Sequence, residues 1–173
     1  MKKIFVVGSL NMDMVFAYDV FPGKGETVVG NSFMANEGGK GANQAVACAR
    51  QHGDVVMLGC VGNDLYGNKL ITTLKKDNID VSGVRIHMKE KTGTALILIS
   101  DHDNRIIVNP GANKCTSIRQ IGPKLAKAQN GDVLLCQFEI PSEIVFFALK
   151  EAKERKMMTI LNPAPAVPIP DEI

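Results

Sequence analysis

The sequence predicts an α/β fold: a doubly wound, mostly parallel β-sheet with helices on both faces, plus a small separate β-sheet. Short apolar runs alternate with segments of helical periodicity, and this alternation is typical of parallel sheets whose strands are buried on both faces. Segments 14–35 and 84–110 interrupt it, because they are rich in β-branched and aromatic residues and show no helical pattern. We expect these segments to pair as a small sheet, inserted in one domain that spans 1–173.

The elements of the main sheet can be placed in order along the chain. Strands are predicted at 4–7, 55–61, 132–137 and 158–161, and helices at 42–51, 64–78, 117–125 and 142–156. Asp64 is a good N-cap for the second helix, and Ser117 with Gln120 resembles a capping box for the third. The proline-rich segment 162–165 must leave regular structure, and 171–173 resembles the approach to a further helix.

The small sheet is expected to contain four strands. In the first segment one strand begins near Met14 and a second lies at 27–29, with a turn at 21–25 between them. In the second segment, 95–99 and 106–108 are expected to form a hairpin around the polar tip 101–104.

Composition excludes several classes of protein. The chain has 173 residues, of which 45% are hydrophobic and 22% charged, so it fits one ordinary domain or a piece of a larger one. A net charge of +2 gives no electrostatic footprint for nucleic acid or for an anionic membrane. No apolar run reaches membrane-spanning length, and the start of the chain is too short for a signal peptide. We therefore expect a cytoplasmic protein without nucleic-acid or membrane partners.

Cysteine and histidine usage agrees with that expectation. Neither set shows the short spacings of a zinc site or a disulfide framework, so we expect reduced cysteines and no metal site. The residues concerned are Cys48, Cys60, Cys115, Cys136, His52, His87 and His102.

Polar groups follow three of the predicted elements. Asn11 and Asp13 come directly after the first strand, the glycine-rich loop 38–43 opens the first helix, and Glu139 follows the strand at 132–137. Ligands of a doubly wound sheet bind at the carboxyl ends of its strands, so we expect these groups to share one edge. Carboxylates accept hydrogen bonds from neighbouring hydroxyls, amides both donate and accept, and glycines allow close backbone approach. The set suits a polyhydroxylated ligand.

Structural interpretations stay open for the single residues. Asp13 can cap a turn, Asn11 can satisfy its own backbone in an Asx-turn, and Glu139 can be a solvated residue before Pro141. The loop 38–43 is not a phosphate-binding P-loop, because its lysine is followed by glycine instead of serine or threonine. A purely structural α/β domain would leave the polar residues at one sheet edge unexplained.

Specific motifs nevertheless occur together and in order. They are Gly-Ser-Leu-Asn-Met-Asp at 8–13, Pro22 with Gly-Glu-Thr at 25–27, Gly-Gly-Lys-Gly-Ala-Asn-Gln-Ala-Val-Ala at 38–47, Thr-Gly-Thr-Ala at 92–95, Gly-Ala-Asn at 111–113, Gln-Phe-Glu at 137–139 and Asn-Pro-Ala-Pro-Ala at 162–166. Together they resemble the ribokinase family of carbohydrate kinases, also called the pfkB family, and the resemblance covers the whole chain. It implies a ribokinase-like fold in which the small sheet is a lid over the sugar.

The resemblance also implies roles for individual residues. Asp13 would hold two sugar hydroxyls and Asn11 another, the loop at 39–43 would wrap the sugar, and Glu139 would contact it from the far side. Two apolar residues at i, i+2 spacing would cover it from the lid, and that spacing places both on one face of a strand. The implied sugar-binding residues are Asn11, Asp13, Gly39, Lys40, Gly41, Asn43, Ala95, Ile97 and Glu139.

The activity implied is transfer of the γ-phosphoryl group of ATP to D-ribose, which gives ribose 5-phosphate. ATP, Mg²⁺ and a monovalent cation such as K⁺ are the implied cofactors, and a homodimer through the lid is the implied assembly. The family's catalytic aspartate lies in a Gly-Ala-Gly-Asp motif, which this sequence does not contain. We therefore expect a chain truncated at its C-terminus, with the catalytic aspartate beyond Ile173, that carries the sugar-binding half and is inactive by itself.

Two alternatives remain at this point. The first is another kinase of the same family, acting on deoxyribose, fructose or a nucleoside. Asn11 favours ribose, because a deoxyribose enzyme has no 2-hydroxyl to satisfy there. The second is a catalytically silent sugar-binding fragment.

Overall fold

A computed structural model describes residues 2–100 and 103–171. Its strands, numbered in chain order, are β1 (Lys3–Val7), β2 (Asn11–Ala17), β3 (Ser32–Gly38), β4 (Asp54–Gly62), β5 (Asp80–His87), β6 (Gly93–Ser100), β7 (Asp103–Asn109), β8 (Val133–Gln137) and β9 (Met158–Asn162). Its helices are α1 (Lys40–Arg50), α2 (Leu65–Lys76), α3 (Ile118–Leu125) and α4 (Ser142–Glu154), and a 3-10 helix spans Gly111–Cys115.

The main sheet has five strands in the order β5-β4-β1-β8-β9, and every neighbouring pair is parallel. The first strand in the chain is thus the central one, and the connections run outward from it in both directions. This is the doubly wound arrangement that the sequence predicts, and that prediction is confirmed. The ends of β1 and β8 flank the switch point, where such sheets bind their ligands.

Helices cover both faces of this sheet, because successive side chains of each buried strand point to opposite faces. On one face Val6 of β1 packs in a cluster with residues of α1 and α2, among them Ala45 and Leu70. On the other face Val7 packs with residues of α3 and α4, among them Ile121 and Val145. The two apolar layers hold the carboxyl ends of the strands in fixed positions.

The second sheet has four strands in the order β3-β2-β6-β7, with β2 and β6 parallel and the outer pairs antiparallel. Two expectations about it were wrong. Its second segment does not begin at residue 84, because 84–87 belong to β5, where Val84 pairs with Gly59 of the main sheet. Its second strand is β3, not 27–29, because it is β3 that pairs with β2 along seven residues. We call this sheet the lid.

Of the two predicted helix caps, one is confirmed and the other was wrong. The Asp64 side chain accepts a hydrogen bond from the Gly67 amide, so the predicted N-cap of α2 is confirmed. Ser117 occupies the N-cap position of α3, but its side chain makes no capping bond. Gln120 does not reach back to it, because its Nε2 donates to the backbone oxygens of Gly59 and Gly83. The capping box was therefore wrong.

Two expectations fall partly outside the described residues. These are the hairpin tip at Asp101 and His102, and the start of a helix at Glu172 and Ile173. Within the described part of the chain, no helix is both long and apolar enough to cross a membrane.

Candidate functional site

A cleft of about 650 Å³ lies at the switch point, between the carboxyl ends of β1 and β8 and the lid. Asn11, Lys40 and Glu139 all line it, although they are far apart in the sequence. The expectation that the strand ends bring these groups together therefore agrees with the structure. The first lid strand was expected to begin near Met14, but β2 begins at Asn11, so Asn11 and Asp13 lie within the first strand of the lid.

Glu139 is the central acceptor at the edge of the main sheet. Its Oε2 accepts hydrogen bonds from the Ser9 hydroxyl at 2.6 Å and from the Lys40 amide at 3.0 Å. Its Oε1 lies 3.6 Å from Nζ of Lys40, in an ion pair whose carboxylate side chain is 19% exposed. Oε2 is thus occupied by the protein itself, and Oε1 is the atom of Glu139 better placed to accept a bond from a ligand.

The glycine-rich loop is pressed against the end of β1. Gly39 has φ of 90°, which favours glycine, and a Cβ there would lie 2.8 Å from the amide nitrogen of Asn11. A Cβ on Gly41 would lie 2.6 Å from the amide nitrogen of Ser9. The Ser9 hydroxyl, which donates to Glu139, also accepts from the Gly41 amide at 3.3 Å. These contacts fix the N-terminus of α1 beside the cleft.

Asp13 lies two residues further along β2, on the same face as Asn11. It pairs in register with Asn36 of β3 and with Ala95 of β6. Burial, together with the negative charge of Glu139, raises the pKa of Asp13 above its ordinary value. A carboxylate whose charge is disfavoured by its surroundings is a common feature of binding and catalytic sites.

The lid contributes apolar residues to the cleft. Ala95 and Ile97 of β6 are paired in register with Val108 and Ile106 of β7, so the four side chains share one face of the lid. Val108 and Ile106 line the cleft. The sequence analysis missed them, although they have the same i, i+2 spacing as Ala95 and Ile97.

Of the predicted site residues, only Asn11, Lys40 and Glu139 line the cleft; the others do not, namely Asp13, Gly39, Gly41, Ala95 and Ile97. Asn43 does not line it either. It is exposed in the first turn of α1 and lines a separate depression of about 220 Å³ beside Glu37 and Thr73.

Asn113 is the principal residue that the sequence analysis left without a role. It is 1% exposed in the 3-10 helix, and its side chain bonds to Asn11 and to the backbone of Leu10. Its signal was its place in the motif Gly-Ala-Asn at 111–113. Lys114, its neighbour, also lines the cleft.

No group of three or more His, Cys, Asp or Glu side chains within 2–100 and 103–171 is arranged to hold a metal ion. These residues do not fit a magnesium site. What they offer is an acceptor pair in Asp13 and Glu139, amide groups, and a cationic Lys40. That combination suits neutral hydroxyl groups with an apolar cover.

The fold and the cleft together define a class of proteins, and the chain belongs to it. The model of the pfkB family of carbohydrate kinases matches residues 1–171, so this chain is a member of that family.

Within the family, the chain is similar to ribokinases. It is 40% identical over 172 residues to the ribokinase of Bacillus subtilis, and the aligned region covers 99% of this chain and 59% of the relative. It is 38% identical over 176 residues to the ribokinase of Schizosaccharomyces pombe, with 98% and 55% covered. The structure of Arabidopsis thaliana ribokinase complexed with ribose and ATP superposes with a TM-score of 0.87 at 29% identity, covering 99% of this chain and 56% of that one. The chain thus spans a little more than half the length of these relatives.

Proposed function

We propose that the protein to which this chain belongs phosphorylates D-ribose with ATP to give ribose 5-phosphate, and that this chain supplies the sugar-binding half. The observation that carries the proposal is the convergence of Asn11, Lys40 and Glu139 on one cleft at the switch point. The similarity to ribokinases, one of them complexed with ribose and ATP, supports ribose over the other sugars.

The residues of this chain bind and orient the sugar on this proposal. Asp13 accepts hydrogen bonds from two hydroxyls, Asn11 bonds a further one, and Oε1 of Glu139, which is paired with Lys40, accepts from another. Gly39 and Gly41 let the loop pack against the end of β1, which holds the loop backbone beside the sugar. Charge-assisted bonds of this kind contribute about 1.5–3 kcal/mol each. Orientation of the acceptor is a large part of phosphoryl transfer, because that reaction depends mostly on positioning and charge stabilisation.

The lid has a second role in the proposal. Ala95, Ile97, Val108 and Ile106 form an apolar cover that excludes water from the hydroxyl to be phosphorylated. We also propose that Asn43 binds the sugar. To reach the cleft, its exposed side chain must turn toward the loop.

ATP is the proposed phosphoryl donor, and Mg²⁺ and a monovalent cation such as K⁺ are its proposed companions. Because the described residues of this chain do not fit a magnesium ion, Mg²⁺ is proposed for the full-length protein and not for this cleft.

A steady-state assay tests the function. ADP release by the full-length protein is measured with ATP, Mg²⁺ and either ribose, 2-deoxyribose, fructose or a nucleoside. We expect the highest kcat/KM with ribose, with the product identified as ribose 5-phosphate. A higher kcat/KM with any of the other three acceptors would replace ribose as the substrate. Turnover with none of them would overturn the kinase assignment.

We also propose a cytoplasmic homodimer that associates through the lid. The lid exposes large apolar side chains, among them Phe33 at 55% and Ile107 at 63% exposure, and a second copy would cover such a surface. The location is supported by the four cysteines, all of which are free thiols. Burial raises the pKa of Cys60 to about 11 and that of Cys136 to about 12, so both stay protonated.

A further inference from the structure

A buried asparagine joins two of the places where the chain passes between the main sheet and the lid. Asn113, in the 3-10 helix that follows β7, bonds to Leu10 and Asn11, which lie where β1 leads into β2. We propose that Asn113 is a positioning residue that fixes the side-chain amide of Asn11, so that Nδ2 of Asn11 faces the cleft as a hydrogen-bond donor. The proposal rests on the function proposed above and specifies how that site reads the sugar.

The orientation of Asn113 follows from backbone atoms, whose hydrogen-bonding roles are fixed. The Leu10 amide can only donate, and it lies 2.9 Å from Oδ1 of Asn113. The Leu10 carbonyl can only accept, and it lies 3.1 Å from Nδ2 of Asn113. Side-chain amides are assigned from such networks, and here the network allows one orientation, because reversing the Asn113 amide would set donor against donor and acceptor against acceptor.

The orientation of Asn113 then determines that of Asn11. An asparagine Nδ2 carries two hydrogens, and the second hydrogen of Asn113 points to Asn11 at 2.7 Å. The atom of Asn11 that meets a donor must be its acceptor, Oδ1. The acceptor of Asn11 is therefore used inside the protein, and its two N–H groups are left for the cleft that Asn11 lines.

Tight packing keeps the amide pair in this arrangement. Asn11 is 4% exposed and Asn113 is 1% exposed. Both amides approach Gly93 so closely that a Cβ at that position would overlap Oδ1 of Asn11 and Nδ2 of Asn113. A rotated Asn11 would also leave the buried Nδ2 of Asn113 without one of its two acceptors, which is costly in a buried site.

The site consequently recognises some sugar oxygens as hydrogen-bond acceptors and other hydroxyls as hydrogen-bond donors. Asn11 donates, so the sugar oxygen opposite it must accept, whereas the Asp13 carboxylate accepts and needs hydroxyls that donate. A sugar that lacks the oxygen opposite Asn11 leaves a buried donor unpaired, and such a site discriminates strongly against the deoxy analogue. Asn113 contributes to the preference for ribose over 2-deoxyribose without contacting either sugar.

The test uses the full-length protein and measures the dissociation constants of ribose and 2-deoxyribose by calorimetry. Asn113→Asp keeps the size of the side chain and an acceptor for the Leu10 amide, but it cannot donate to Asn11 or to the Leu10 carbonyl. Asn11 then turns its Nδ2 toward the new carboxylate and presents Oδ1 to the sugar. We expect ribose affinity to fall about tenfold or more and the preference over 2-deoxyribose to be lost. The exposed Asn130→Asp is the matched control, with both affinities unchanged.

A double-mutant cycle separates positioning from a general structural role. In an Asn11→Ala background, Asn113→Asp should cause no further loss of the ribose preference, because the residue through which it acts is gone. An unchanged ribose preference in folded Asn113→Asp would overturn the proposal, and so would an equal loss in the Asn11→Ala background.

A second variant decides the matter if Asn113→Asp does not fold. Asn11→Asp still accepts from Asn113 but presents only acceptor oxygens to the cleft. We expect it to bind ribose more than tenfold more weakly than wild type. Affinity retained by Asn11→Asp would mean that the sugar donates to residue 11, which contradicts the proposed orientation.

A measurement without sugar distinguishes this proposal from the proposed function. In ¹⁵N NMR spectra of the full-length protein, the Nδ2 hydrogens of Asn113 should exchange slowly with water, while those of Asn11 exchange faster. The reverse order would overturn the orientation even if ribose binds. If wild type binds no ribose, the proposed function fails, and the exchange rates still decide the orientation.

Discussion

The hydroxyl of Ser9 lies 2.6 Å from Oε2 of Glu139, a residue 130 positions later in the chain. The same hydroxyl accepts from the Gly41 amide, so one buried side chain connects the end of β1, the glycine-rich loop and the residue after β8. Ser9 is fully buried and does not line the cleft. It holds in place the groups that do.

Ser9→Ala should therefore lower both stability and sugar affinity. It removes a donor from Glu139 and leaves the buried Gly41 amide unsatisfied, which costs about 1–3 kcal/mol. Urea unfolding of the full-length protein measures the stability, and ribose titration measures the affinity, expected to fall several-fold. Ser82→Ala is the control, because that hydroxyl is exposed and bonds to Lys124, and its effect should stay within about 0.5 kcal/mol. Equal effects of the two substitutions would contradict this account.

Asp13→Asn should weaken sugar binding and stabilise the fold. Losing the charged acceptor costs about 2–4 kcal/mol of binding for two hydroxyls, or tens- to nearly a thousand-fold in affinity. Burial and Glu139 raise the pKa of Asp13, so its charge opposes folding at neutral pH, and removing that charge should raise stability. Calorimetric titration and thermal unfolding at pH 7 measure the two effects.

The pH dependence follows from the same shift. A raised pKa means that the folded state holds the Asp13 proton at higher pH than the unfolded state, so the penalty disappears as pH falls through the folded value and toward 3.8. The stability advantage of Asp13→Asn should shrink over that range, while wild-type ribose affinity declines. An advantage that is constant with pH would show that the charge of Asp13 is not its source.

Gly38→Ala should displace the Asp13 carboxylate. A Cβ at residue 38 would overlap the oxygens of Asp13, and overpacking of this kind costs about 1–3 kcal/mol. Ribose affinity should fall with it. Gly122→Ala is the matched control, since the nearest atom to a new Cβ there is 3.6 Å away, in Phe147. Because Gly122 precedes Pro123 within α3, alanine there should not bring the usual stabilisation of a helix, and ribose binding should be unchanged.

Asn11→Met should remove the discrimination between ribose and 2-deoxyribose. One lost hydrogen bond to a sugar hydroxyl costs about 1–3 kcal/mol, and methionine offers no group to be left unpaired by the deoxy sugar. The ratio of kcat/KM for the two sugars in the full-length enzyme measures the effect. If the ratio is the same in wild type and variant, Asn11 does not read that hydroxyl.

Ile107→Lys should shift the proposed dimer to monomer. Ile107 faces away from the cleft on the edge strand β7, paired with Leu96, so a charge there leaves the sugar site intact. Sedimentation velocity measures the assembly, and ribose titration of the monomer serves as a folding check. Ile118→Lys on α3, where the isoleucine is 46% exposed outside the lid, is the control. A dimer that persists in Ile107→Lys places the interface elsewhere.

The main sheet was predictable from the sequence because its strands are apolar on both faces and its helices are periodic. The lid was less predictable, because its strands are apolar on one face only. Val84 illustrates the difference: its segment resembles the lid strands in composition, and only pairing with Gly59 assigns it to the main sheet. Pairing partners far apart in sequence leave no local pattern.

The polar residues that line the cleft were predictable, and the residues that hold them in place were not. Asn11, Lys40 and Glu139 follow elements whose ends must meet, so topology alone brings them together. Asn113 has no such position, because its role depends on the two hydrogens of one amide meeting Leu10 and Asn11. Gln120 illustrates the opposite error. Its local sequence pattern predicted a capping box, but its side chain instead donates to two backbone oxygens of the main sheet.

The distance in sequence between Ser9 and Glu139 sets an order of events during synthesis. Contacts between distant residues form late, because the intervening chain must first be made and closed. At about 5–20 residues per second, a ribosome needs on the order of ten seconds to proceed from Ser9 to Glu139. During that interval the nascent lid and glycine-rich loop lack their anchor, and the chain cannot yet be stabilised by the sugar. On the proposed function, ribose can protect this protein against misfolding only after β8 and Glu139 have emerged.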